Sequence, residues 1–228
     1  MSLLLRTFSL LMLVTFSSML SAAMIVERTV LHYEPDGPGR QDVEIRNPDQ
    51  ETLYIQVDIH EVINPGTEQE ERRLVTNPRD ANFLATPNKL AIPPGGRKLV
   101  RLVNLQDAGD KERIFRVSLQ PIAEDIEAEQ TAIKVLVGYQ LLVLIHPKQP
   151  QPRLVASREG NVLRLSNEGN INILMHRGQQ CATNDSSVCT DLPVKRLYPG
   201  NVWELQLEHD GPVQFIQSVG NDNQTVNF

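Results

Sequence analysis

Aromatic residues are scarce in this chain, at 5% of 228 positions, with a single tryptophan. Basic residues are not in excess: 22 Lys and Arg stand against 28 Asp and Glu, for a net charge of −6. That balance excludes the electrostatic footprint of a nucleic-acid-binding protein. Long apolar runs are missing beyond the N-terminus, so no later segment has the roughly 20 residues a membrane-spanning helix needs. Helical periodicity is nearly absent. The histidines (His32, His60, His146, His176, His209) include no pair spaced to share a metal ion. No G-x-S-x-G elbow marks a hydrolase nucleophile. Pro94-Gly95-Gly96-Arg97 lacks the spacing of a phosphate loop. Acidic residues fall mostly in loops, where solvation accounts for them. No catalytic set, cofactor or small-molecule substrate emerges from these residues.

What is present begins at the N-terminus. Arg6, an apolar stretch centred on residues 10–16, and then Ser21, Ala22 and Ala23 follow the order of a secretory signal peptide. Residues 1–23 are therefore expected to be cleaved, leaving Met24 as the first mature residue. An exported chain whose only cysteines are Cys181 and Cys189 points to a disulfide. The turn-forming residues between them let the chain double back. A zinc site is the alternative, and it lacks a nearby histidine pair.

The remainder repeats one pattern, a short alternating apolar run followed by a turn rich in Pro, Gly, Asn or Asp, which marks an all-β sandwich or barrel. Strands are expected near residues 24–33, 41–46, 52–62, 89–92, 98–104 and 112–120. In 52–62, Leu53, Ile55, Val57 and Ile59 share one face. Residues 67–73 read as a solvated loop, and 124–129 as an acidic one. The longest strand spans 131–146. It stops at Pro147-Lys148-Gln149-Pro150-Gln151-Pro152, which cannot pair in a sheet and stiffens the chain. The pattern resumes near 154–157, 162–166, 171–176, 202–207 and 213–219, so two domains meet at the proline stretch.

The long strand is unusual. Ile133, Val135, Val137, Tyr139, Leu141, Val143 and Ile145 occupy one face, and from Leu141 onward the other face is apolar too. Strands usually run 3–10 residues. One reading is a central strand buried on both faces. The other is a strand buried at home in its second half and offered outward in its first, since a long apolar edge is tolerable when a partner completes it.

Several pieces, taken in order, resemble a known family: Leu31-His32-Tyr33; Val43-Glu44-Ile45-Arg46-Asn47; Leu90-Ala91-Ile92-Pro93-Pro94-Gly95-Gly96 leading to Val100-Arg101-Leu102; Glu112-Arg113-Ile114-Phe115-Arg116-Val117; the alternating strand before Pro147; Leu165-Ser166-Asn167-Glu168-Gly169-Asn170; and the cysteine pair. This set resembles the periplasmic pilus chaperones of the chaperone–usher pathway, the PapD-like family, in a divergent (alternative or archaic) style. The resemblance implies two immunoglobulin-like β-sandwich domains, residues 24–147 and 148–228, in a bent boomerang. It implies a non-enzymatic periplasmic protein whose partners are pilus or fimbrial subunits and an outer-membrane usher. The family's donor positions fall on Ile133, Val135 and Val137, which would fill a subunit's groove. The family's two cationic positions for the subunit carboxylate read Val30 and Leu142 here, so the anchor is absent or displaced. Arg113 and Lys134 are the candidates, with Arg28 and Arg101 in reserve. A secreted structural or adhesin-like sandwich is the alternative, and a secreted enzyme with this fold a weaker third.

Overall fold

The computed structural model describes residues 24–106, 109–122, 136–183 and 185–228. The first half of the chain runs through β1 (Ile25–Val26), β2 (Val30–Tyr33), β3 (Arg40–Arg46), β4 (Leu53–Ile63), β5 (Glu71–Leu74), the one-turn helix α1 (Pro78–Ala81), β6 (Phe83–Thr86), β7 (Lys89–Ile92), β8 (Arg97–Asn104), β9 (Arg113–Pro121) and β10 (Tyr139–Ile145). The second half runs through β11 (Leu154–Glu159), β12 (Val162–Asn167), β13 (Ile173–Ala182), β14 (Asp185–Leu192), β15 (Lys195–Leu197), β16 (Val202–Gln206), β17 (Val213–Val219) and β18 (Asp222–Asn227).

Two sheets form from the first half. One orders its strands β1-β3-β8-β6; the other runs β2-β10-β9-β4-β5, with β7 also against β4. The alternating side chains of β4 explain why they face each other: Leu53, Ile55, Val57 and Ile59 are buried, while intervening residues reach the opposite face. Phe83 and Phe115 stack between the sheets at 4.6 Å, and Tyr33 meets Phe83 edge-on. Burial of each such ring contributes about 2–3 kcal/mol. The Tyr33 hydroxyl donates to the Leu102 carbonyl at 2.9 Å, so its polar end is satisfied inside the core.

The second half builds a smaller sandwich from β11-β12-β16 and β14-β13-β17-β18, with β15 against β13. Its core is separate: Leu163, Leu165, Ile173, Met175, Leu197, Leu205, Leu207, Val213 and Phe215. Cys181 and Cys189 are register partners across the β13–β14 hairpin and are joined by a disulfide.

One device recurs in both sandwiches. Asn47, just after β3, donates its amide to the carbonyls of Glu51 and Ile92 and accepts from the Asp49 amide. Asn167, at the end of β12, donates to Ile171 and Leu197 and accepts from Gly169. Each buried amide closes a corner whose backbone groups have no strand to pair with.

The single strand expected over 24–33 is two strands. Ile25 pairs antiparallel with Arg46 of β3, whereas Val30 pairs parallel with Leu142 of β10. The chain crosses between sheets at Glu27–Thr29, a change that alternation cannot reveal because both parts keep it. The loop expected at 67–73 carries the start of β5, all of whose residues are exposed. Among the described residues no helix is long and apolar enough to cross a membrane.

Candidate functional site

The strand β10 lies between β9 and β2, but the two neighbours cover different lengths of it. It pairs with β9 from Tyr139 to Ile145 and with β2 only from Leu142 onward. The Leu142 N–H donates to Thr29 and the His146 N–H to Tyr33, so backbone groups of even-numbered residues face β2. Two residues before Leu142, the backbone of Gln140 faces the same side with no described strand beside it. An open hydrogen-bonding edge therefore begins at Gln140.

Side chains follow the same division. Leu141, Val143, Leu144 and Ile145 are buried. Val137 is 52% exposed and precedes the regular strand. Ile133, Val135 and Lys134 lie outside the described residues. Gly138 packs close to β9: a Cβ there would meet the Leu119 carbonyl at 3.0 Å.

The face of this sheet turned away from its own core carries two cross-strand rows. One reads Val30, Leu142, Arg116, His60, Leu74; the next reads His32, Leu144, Ile114, Val62, Arg72. At one end the second sandwich closes on this face, where Tyr198 clusters with Val62, Ile114, Leu142 and Leu144. That contact explains why β10 is apolar on both faces from Leu141. The hairpin loop between β4 and β5 also reaches the second sandwich: Asn201 donates to the Pro65 carbonyl at 3.0 Å.

The sequence-selected cations are placed as follows. Arg113 points to the opposite face, donates to the Ala81 carbonyl, and lies over the Phe115 ring. Burial pulls its pKa below the ordinary arginine value. Arg101 grips Asp42 with two contacts of 2.8 Å on the other sheet. Arg28 reaches the Asp42 carbonyl and Glu27.

The cation that does face the cleft is Arg116, which makes no hydrogen bond or ion pair with a described residue. It sits directly across from Leu142, in the row that holds Val30. Its neighbourhood is organised by Glu70, whose carboxylate accepts from the Gly66 N–H at 2.8 Å and from Arg72 at 3.2 Å. Those bonds, chiefly the one from Gly66, hold its pKa below the ordinary value, with Arg116 adding to the effect. Arg72 also donates to Gln140 at 3.3 Å. Alternation with Ile114 and Ser118 was the sequence signal that could have found Arg116, once β9 was set beside β10.

The family model for "Pili and flagellar-assembly chaperone, PapD N-terminal domain" matches residues 23–151. The chain belongs to this family. As a pilus-assembly chaperone, it is similar over 221 residues to a CS1 fimbrial protein of Escherichia coli, at 27% identity, covering 90% of this chain and 92% of that one. The crystal structure of the class 5 fimbriae chaperone CfaA superposes at a TM-score of 0.65 and 21% identity, covering 90% of this chain and 97% of that one. The chaperone–tip complex CsuC–CsuE of Acinetobacter baumannii superposes at 0.62 and 10% identity, covering 90% and 98%. At these identities the solved structures show a shared fold of two β-sandwiches, as the sequence reading expected.

Proposed function

We propose that the chaperone lends a pilus or fimbrial subunit the strand that leads into β10, holds it there, and hands it to an outer-membrane usher. The observation that carries this reading is the uncovered edge beginning at Gln140, beside the half-exposed Val137. A subunit lacking one strand would pair its backbone with that edge and take up Ile133, Val135 and Val137. Three such aliphatic side chains would contribute roughly 5–9 kcal/mol before ordering costs.

The subunit's terminal carboxylate needs a cation at the base of the cleft, and the placement of Arg116 supports that role over Arg113, Arg28 and Arg101, which have protein partners. A guanidinium can grip a carboxylate through two parallel bonds. On this reading residues 1–23 are a signal peptide, the domains are 24–147 and 148–228, the chaperone works in the periplasm, and no catalysis is involved.

The test is substitution of Val135 and Val137 by Asp, with the cognate subunit's level in a periplasmic extract as the readout. Loss of the subunit while the chaperone level holds is expected. An unchanged subunit level would remove the donor role.

A further inference from the structure

Two buried polar arms join the sandwiches near the end of β10. In the first, the His146 ring has 1% side-chain exposure. Its Nε2 is 3.1 Å from His32 Nδ1, and its Nδ1 is 3.0 Å from a Glu34 oxygen. Two ring nitrogens facing each other at that distance need one donor and one acceptor, so the two imidazoles cannot both be charged. The turn after β17 closes on this arm: a Cβ on Gly220 would lie 3.3 Å from His146 and 3.5 Å from Glu34.

In the second arm, Glu112 enters the second sandwich with a side chain of 0% exposure. Its two oxygens accept from the Asn172 side-chain amide at 2.5 Å and the Asn172 backbone N–H at 2.9 Å. Arg196 donates to the Asn172 carbonyl oxygen, so that amide stands between guanidinium and carboxyl. The nearest imidazole nitrogen, His146 Nε2, is 3.9 Å away. A carboxyl buried without a direct cationic partner favours its neutral form.

The charged and titratable groups around the arms come from five segments. Glu34 and Lys148 flank His146; Arg196 and Tyr198 face Glu112 from the second sandwich; Arg116 stands on β9 behind them.

We propose that this interface is a proton-balanced clamp: when the sandwiches fold and dock, His32 releases a proton and Glu112 retains one, so the clamp holds evenly from mildly acidic to neutral pH. Burial, with His146 and Arg196 adding to it, lowers the His32 pKa from 6.5 to about 4. Its contribution is therefore present above 6.5 and lost as pH falls through 4. Burial raises Glu112 from 4.5 to about 7, against the bonds from Asn172. Its contribution is present below 4.5 and lost as pH rises through 7. Between 4.5 and 6.5 the unfolded chain carries the histidine proton and the folded chain the carboxyl proton. The proton counts match, and the two slopes cancel.

The experiment compares thermal unfolding of the full chain with Glu112→Gln, His32→Gln and the double variant from pH 4 to 8. Relative to the parent, Glu112→Gln should lose ground as pH falls through this range. His32→Gln should lose ground as pH rises. The double variant should track the parent. A swing of about tenfold or more in the folding constant is expected for each single variant. Single variants that keep a constant offset from the parent at every pH overturn the proposal. Carbon-detected NMR of the parent gives a reading that needs no variant to fold. Glu112 should titrate near neutrality and His32 below about 5; ordinary values at either site overturn the proposal as well.

Discussion

Arg116 of β9 and Leu142 of β10 are direct cross-strand partners on the face that the second sandwich approaches. The pair shows how a cation can be supplied to the cleft although β10 and β2 contribute only Leu142 and Val30 to that row. Replacing Arg116 by Gln should weaken the affinity for a subunit at least tenfold in a direct titration. Loss of a charge-assisted bidentate contact costs about 1.5–3 kcal/mol. Thermal stability should change little, because Arg116 has no bond to give up. A variant that holds the subunit with parental affinity would sink the assignment.

Val137 offers the complementary test. It is half-exposed, so Val137→Asp should leave the unfolding midpoint within a degree or two, as surface changes are usually worth less than about 0.5 kcal/mol. Subunit capture should nevertheless fail, since the aspartate would have to enter an apolar groove. By contrast Val143→Asp, at a fully buried position, should prevent accumulation of the chaperone itself.

Gly66 should prove a lock between the sandwiches. Its φ is +71°, and a Cβ there would fall 2.4 Å from the Asn201 side-chain oxygen. Gly66→Ala should cost about 1–3 kcal/mol through backbone strain and the lost Asn201–Pro65 contact. Asn201→Ala combined with it should add less than its separate cost, because both remove one contact. Calorimetry on the single and double variants measures that coupling, and full additivity would show the loop to be independent of Asn201.

Asn47 and Asn167 should be separable by domain. Either change to Ala orphans buried backbone carbonyls and should cost about 2–4 kcal/mol. Hydrogen exchange should show protection falling first in β3 and β8 for Asn47→Ala, and first in β12 and β16 for Asn167→Ala. Uniform loss in both sandwiches would mean that the domains unfold as one unit.

The strands that line the two cores were readable because burial imposes alternation on them. Leu53 to Ile59 announces β4, and the apolar second half of β10 announces burial on both faces. The proline stretch and the paired cysteines were equally plain. The missed strands are those without that imprint. β5 is wholly exposed, β18 is Asp222–Asn227 with nearly every side chain in solvent, and β14 follows the turn residues of the disulfide hairpin. Their backbones are held by neighbours, so their side chains carry no record of it. The cleft cation was hidden for a related reason. Arg113 and Arg116 look alike in sequence, and only the register of β9 against β10 shows which one faces the second sandwich.

The crossing at Glu27–Thr29 does more than connect two sheets. It decides where β2 takes hold of β10, and so how many backbone groups are left for another molecule. The crossover is thus a molecular stop. Shifting it by one pleat repeat would shorten or lengthen the vacant rim by two residues and would move every side chain that a subunit reads relative to the Arg116 row. The spacing between the grip on a subunit's main chain and the grip on its terminus is written into the first few residues of the mature chain.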